Sequence, residues 1–176
     1  MRYAAIRPID ISNGEGIGVA LFVQGCSIRC KGCFQPETWN FEGGQEFDEA
    51  AKERLFEYLR QPGIKRFSIL GGEPLEQCNW AELANLIKEV KIEFPHIAIW
   101  LYTGYTYQSI VLTVLEHQQE TLDLEFIFFN INVLVAGPFV EDEKDLGLKW
   151  CGSRNQKVID MPATIINNFV IVEHEN

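Results

Sequence analysis

The chain has 176 residues, 47% hydrophobic and 23% charged, with a formal net charge of -10 and a sequence pI near 4.8. That is enough chain to bury a sizeable core in a single domain, 1–176. It is too acidic for a sequence-independent grip on nucleic acid or on an anionic membrane, both of which need clustered Lys and Arg.

In chain order, "MRYAAIRPID" lacks the apolar core of a signal peptide, and no apolar run reaches the length of a membrane span. A cytoplasmic setting is therefore expected, where cysteines serve metal or redox chemistry rather than disulfides. "VALFV" (19–23) reads as a buried strand that runs into the cysteine-rich stretch "GCSIRCKGCF" (25–34). "FDEAAKERLFEYLRQPG" predicts a helix capped by Asp48, with Ala51, Leu55, Tyr58 and Leu59 at helical spacing and Pro62-Gly63 as its stop. "RFSIL" (66–70) is a second strand, followed by Gly71-Gly72-Glu73-Pro74. The next helix spans roughly 79 to 94, with Leu83, Leu86, Ile87, Val90 and Phe94 on one face and Pro95 closing it. "IAIWLY" (97–102) is a third strand, Tyr107 to about Gln118 a third helix, and "INVLVAG" (131–137) a further strand. Residues 118–130 carry no assigned element, and the tail "NNFVIVEHEN" (167–176) is read as a last strand.

Apolar strands alternating with amphipathic helices predict an α/β fold with a mostly parallel sheet. Such sheets bind ligands at the C-terminal ends of their strands. The cysteine loop, Gly-Gly-Glu-Pro and Thr103-Gly104-Tyr105 each follow a strand, so they share one rim. A complete eight-fold barrel needs ~250 residues, so a partial, open βα barrel is expected.

Cys26, Cys30 and Cys33 look like metal ligands, but one short of a closed set. A zinc site would add a fourth Cys or His at standard spacing. Cys78 and Cys151 are distant in sequence, and His96, His117 and His174 are scattered. Inert core cysteines fit poorly with the polar flank "SIRCKG". An iron–sulfur cluster fits better, and three thiolates on a four-iron cluster leave one iron open for chemistry.

Cys26-x-x-x-Cys30-x-x-Cys33 resembles the signature of radical S-adenosylmethionine (SAM) enzymes. The resemblance implies a 4Fe-4S cluster on these three cysteines, whose open iron is chelated by the amino and carboxylate groups of SAM. One electron from the cluster then breaks the sulfonium C–S bond and yields a 5′-deoxyadenosyl radical. "LGGEP" (70–74) is similar to the segment that holds the SAM ammonium group in that family. Two glycines permit close backbone approach, and a carboxylate can pair with a cation. By the same resemblance Gly71, Gly72 and Glu73 cradle the methionine part, backbone at Gly32 and Phe34 meets the adenine, and Thr103 and Tyr105 line the SAM pocket.

Most radical-SAM proteins place an aromatic residue before the third cysteine, where this chain has Gly32. That position, with "NGEG" (13–16), "LFVQGC" (21–26), "IWLYTGY" (99–105), "VLVAGPF" (133–139) and "GSRNQ" (152–156), resembles the activating proteins of anaerobic, glycyl-radical ribonucleotide reductases. The likeness runs from Tyr3 to about Asp160. It implies hydrogen abstraction from the Cα of one glycine in a reductase partner, fed by a one-electron donor such as flavodoxin or ferredoxin. The departures are Gly18 for Arg, Gln35 for Asn, Cys78 for Pro, Ala136 for an acid and Cys151 for the Arg of Arg-Gly-Ser. The loop 141–145, "EDEKD", reads as solvated, and Cys78 and Cys151 as small packing residues. Two other readings stand beside this one: a small radical-SAM enzyme acting on a heterocycle, and a non-enzymatic iron–sulfur or zinc module.

Overall fold

The computed structural model describes residues 1–116 and 118–174. Seven strands form one open sheet: β1 (Arg2–Asp10), β2 (Gly18–Val23), β3 (Gln45–Glu46), β4 (Arg66–Gly71), β5 (Ala98–Thr103), β6 (Val133–Ala136) and β7 (Lys157–Asp160), in the order β3-β1-β2-β4-β5-β6-β7. The central four, β2, β4, β5 and β6, are parallel, and β1 and β7 flank them antiparallel. The fold is therefore mixed α/β with a mostly parallel centre, and the sheet does not close.

The chemistry of the connections explains this arrangement. Parallel neighbours need crossover helices, which α1 (Glu49–Leu59), α2 (Trp80–Glu93), α3 (Tyr107–Leu115) and α4 (Leu122–Asn130) supply. Asp48 caps α1 by accepting from the Ala51 N–H at 2.8 Å, as its sequence position predicts. Thr106 caps α3 in the same way through the Ser109 N–H. The third helix closes at Leu115, three residues short of the expected end, and His117 lies outside the described residues.

Two expectations need correction. Residues 118–130 are structured: a 3-10 turn at Gln119–Thr121 leads into α4, which buries Leu124, Ile127 and Phe128. The run "LDLEFIFFN" is apolar on too many sides to show a helical stripe, so periodicity could not assign it. The described part of the tail is not a strand. A short helix, α5 (Met161–Ile166), is capped by Asp160, and Asn168 and Phe169 then turn the chain through left-handed conformations. Beyond that turn the described tail contributes one isolated bridge, Glu173 to Ile159. The outer strands escaped the sequence reading for a related reason: β1 is exposed along most of its length and β3 and β7 are short, so none reads as an apolar run.

The two faces of the sheet differ. Val19, Leu21, Val23, Phe67, Ile69, Ile99, Leu101 and Leu134 pack with the buried sides of all five helices in one core. Ala20, Phe22, Leu70, Trp100, Val133 and Val135 face the other way, in two smaller clusters reached by Tyr102, Trp150 and Cys151. Period-two alternation along the strands makes this division. It leaves the second face to loops, and the site lies there.

Candidate functional site

A cleft of about 550 Å³ runs over this loop-covered face. Three strand-end loops are bonded together at one end of it. The Glu73 N–H donates to the Gly25 carbonyl at 2.8 Å, the Gly72 N–H donates to Val23, and the Ser27 N–H donates to the Glu76 carboxylate at 2.6 Å. The glycines of Gly71-Gly72 allow this contact. A Cβ on Gly72 would stand 2.3 Å from the Gly25 carbonyl oxygen, and one on Gly71 would stand 2.8 Å from Val23 backbone. Ile28 packs its side chain against Gly104, which joins the third loop to the first.

Glu73 is almost completely buried beneath this junction. Its carboxylate accepts from the Leu75 N–H at 2.8 Å, the Thr103 hydroxyl at 2.7 Å and the Gly104 N–H at 2.7 Å. Burial drives its pKa up to about 7 in spite of these three donors. The acid thus positions the rims of β4 and β5, and what it leaves facing the cleft is backbone of the Gly-Gly-Glu turn.

Cys26, Cys30 and Cys33 all border the cleft, and all are free thiols. Cys26 is buried, and burial pushes its thiol pKa up. The Cys33 N–H closes a turn on the Cys30 carbonyl, and the Gln35 N–H donates to the Cys33 sulfur at 3.4 Å. Among the described residues no three His, Cys, Asp or Glu side chains converge as a single ion would require. A zinc ion with Zn–S near 2.3 Å draws its sulfurs within roughly 4 Å of one another. A cluster takes each thiolate on a different iron, so three sulfurs set around a cleft suit its donor chemistry.

Of the ten residues expected from the sequence, eight border this cleft: the three cysteines, Phe34, Gly71, Gly72, Glu73 and Thr103. Tyr105 does not line it and packs instead against the helix-side core. Gly32 lies outside it too. Its backbone is left-handed, at φ 75°, and a Cβ there would meet Glu141 at 3.1 Å and Phe139 at 3.3 Å. A larger side chain there would be strained by that backbone and would have to displace the Glu141 carboxylate and the Phe139 ring. Phe34 is 60% exposed and packs at a tilt against Phe139, with the Lys144 ammonium 5.1 Å above its ring.

The rest of the cleft was not legible in the sequence. Arg66 is fully buried on β4 and donates to the Asp10 carbonyl at 2.7 Å, the Asp10 carboxylate at 3.0 Å, the Ser68 hydroxyl at 2.6 Å and the Asn13 carbonyl. It thereby holds loop 11–17, whose Ser12 and Asn13 border the cleft. Arg66 is the strand partner of Gly18, and its Cζ lies 3.0 Å from where a Gly18 Cβ would be. A side chain at position 18 would therefore meet this guanidinium, and Gly18 leaves room for it. On the opposite wall, Gln156 accepts from the Gly152 and Ser153 N–H groups and donates to the Gly137 carbonyl, while Asn155 donates to Pro138. "GSRNQ" is therefore a clamp between β6 and β7. Cys151 borders the cleft beside it and is half-buried as expected, whereas Cys78, expected to be a buried or half-buried packing residue, is exposed outside it. Asp145, from the loop read as solvated, also reaches the cleft.

Residues 12–159 match the family described as a 4Fe-4S single cluster domain. Three proteins named anaerobic ribonucleoside-triphosphate reductase-activating protein are similar along nearly their whole length. Those of Vibrio cholerae and Escherichia coli strain K12 are each 38% identical over 160 residues, covering 90% of this chain and 97% of theirs. That of Enterobacteria phage T4 is 36% identical over 160 residues, covering 90% of this chain and 93% of its own.

Proposed function

The chain belongs to the family of anaerobic ribonucleoside-triphosphate reductase-activating proteins, with a 4Fe-4S cluster domain, and from that membership we propose that it is a radical-SAM activase that removes a hydrogen atom from one glycine of its reductase. The observation that carries the assignment of the site is the meeting of Cys26, Cys30 and Cys33 with Gly71, Gly72 and Glu73 on one cleft. In this reading the three thiolates hold the cluster and leave one iron open for SAM. Backbone of Gly71, Gly72 and Glu73, with Thr103 behind it, receives the methionine end, and Phe34 flanks the adenine. When bound, the cluster and SAM supply a one-electron reductive cleavage that makes the hydrogen-abstracting species. The protein supplies orientation and exclusion of water.

The open sheet, with helices on one face and the cleft on the other, fits a partial βα barrel of the radical-SAM type acting as one domain. Among the described residues no helix is long and apolar enough to cross a membrane. The working context proposed is the cytoplasm, with a flavodoxin or ferredoxin as electron source. Gly32 lies just outside the cleft lining, where its left-handed backbone carries the cysteine loop past Phe139 and Glu141.

Anaerobically reconstituted protein given reductant, SAM and reductase should carry about four irons, release 5′-deoxyadenosine and methionine, and raise a glycyl-radical EPR signal. Cys26→Ala should lose both the iron and the products. A fully loaded cluster that yields neither product refutes the activase reading.

A further inference from the structure

The cleft extends well past the junction of cysteines and Gly-Gly-Glu, and its middle holds a group with no protein partner. Tyr102 lies on β5 one residue before Thr103, so its side chain points to the cleft face rather than to the helices. It packs between Phe22 and Leu70 on one side and Trp100 and Val135 on the other. Its hydroxyl oxygen is buried, and among the described residues nothing hydrogen-bonds to it. Phenylalanine would fill the same space without that penalty, since a buried hydroxyl left unpaired costs about 1–3 kcal/mol. Few such groups persist in native proteins without a ligand or water to receive them. Burial drives the phenol pKa well above its ordinary value, so the group stays protonated and able to donate.

The methionine cradle and the three thiols lie at the strand-end loops, while Tyr102 lies on the strand itself, beside the apolar cluster that Trp150 and Cys151 also pack against. The cleft there is walled by Phe22, Leu70, Trp150 and Cys151, and the charged groups near the phenol, Arg66 and Asp10, are bonded to one another and not to it. An acceptor that enters with the substrate can therefore receive its hydrogen bond. A peptide segment brings one acceptor per residue, its carbonyl oxygen.

We propose that Tyr102 is a substrate-binding residue, whose hydroxyl donates a hydrogen bond to a backbone carbonyl of the reductase segment that presents the glycine. The proposal rests on the activase reading and names the peptide subsite within the same cleft. The bond fixes the segment against the β5 floor, so that loss of the hydroxyl loosens the glycine and leaves SAM undisturbed.

The test compares wild type with Tyr102→Phe, using the full-length anaerobic reductase encoded in the same genome. Three quantities are read: glycyl radical formed per 5′-deoxyadenosine released, the dissociation constant for SAM, and the melting temperature of the cluster-free protein. The expected result is a fall of about 2- to 12-fold in radical per 5′-deoxyadenosine, the range of one hydrogen bond. SAM affinity should be unchanged, and the melting temperature unchanged or higher. An unaltered radical yield overturns the proposal, and so does a matching loss of SAM affinity, which would assign the hydroxyl to the cofactor. A wild-type protein that forms no glycyl radical removes the activase reading and this inference together. One that forms it, with a Tyr102→Phe protein that does equally well, removes this inference alone.

Discussion

Arg66→Met removes the guanidinium that ties loop 11–17 to the sheet and leaves a hydrophobic chain of similar length in its place. The side chains of Arg66 and Asp10 are 0% and 2% exposed, so the substitution strands a carboxylate with little access to water. Breaking a buried pair from one side costs about 3–5 kcal/mol. Asp10 keeps two bonds from Asn13, at 2.9 Å from its N–H and 2.7 Å from its side-chain amide, so the lower end applies. A loss of about 3 kcal/mol in a chain of this size lowers Tm by about 6–12 °C. Urea unfolding of the cluster-free protein, read at constant m, measures it directly. Burial pushes the Asp10 pKa up, but the bonds from Asn13 and Arg66 outweigh it and hold the group below 3.8. Its contribution is thus present above that pH and lost as the pH falls through the folded value, and Arg66→Met should flatten this acid dependence. The double variant Asp10→Asn, Arg66→Met should recover at least about 1 kcal/mol relative to additivity. A single-variant loss below about 1 kcal/mol, or strict additivity in the double variant, would refute the account of Arg66 as the anchor of this loop.

Glu73 behaves in the opposite sense with pH. Its folded-state pKa rises from 4.5 to about 7, so its contribution is fully present below pH 4.5 and is lost as pH rises through 7. The full swing is about 3 kcal/mol; Glu73→Gln should show a flatter stability profile between pH 5 and 8 in cluster-free protein, and parallel profiles would count against the burial argument. Gly72→Ala should separate the cysteine loop from the Gly-Gly-Glu turn, because its Cβ meets backbone at 2.3 Å rather than a movable side chain; iron content after reconstitution should fall, and normal loading would show that the loops can part without harm. Cys78→Ser should leave iron content unchanged, since Cys78 is exposed outside the cleft; a loss of iron would assign it a ligand role that its position argues against.

The cysteines, the Gly-Gly-Glu turn and Thr103 were legible in the sequence because each is a short local pattern at the end of an apolar strand. A parallel sheet gathers such ends on one rim whatever lies between them. The central strands and α1 and α2 were readable for the same local reason, a periodicity contained within one element. Helix α4 and the edge strands were not, because their pattern depends on neighbours that sequence order does not supply. Three things waited for the tertiary structure. Gly32 is held in a left-handed conformation, and a Cβ there would crowd Phe139 and Glu141, more than a hundred residues away. Gly18 stands where an arginine was expected because β2 and β4 pair in a register that sets it beside the buried Arg66, whose guanidinium needs the space. Tyr102 reads in sequence as one more strand residue, and only the packing of two apolar clusters around it leaves its hydroxyl buried and unpaired. Local spacing determines which groups can do the chemistry. The register and the two-faced burial of the sheet determine which of them face one another across the cleft.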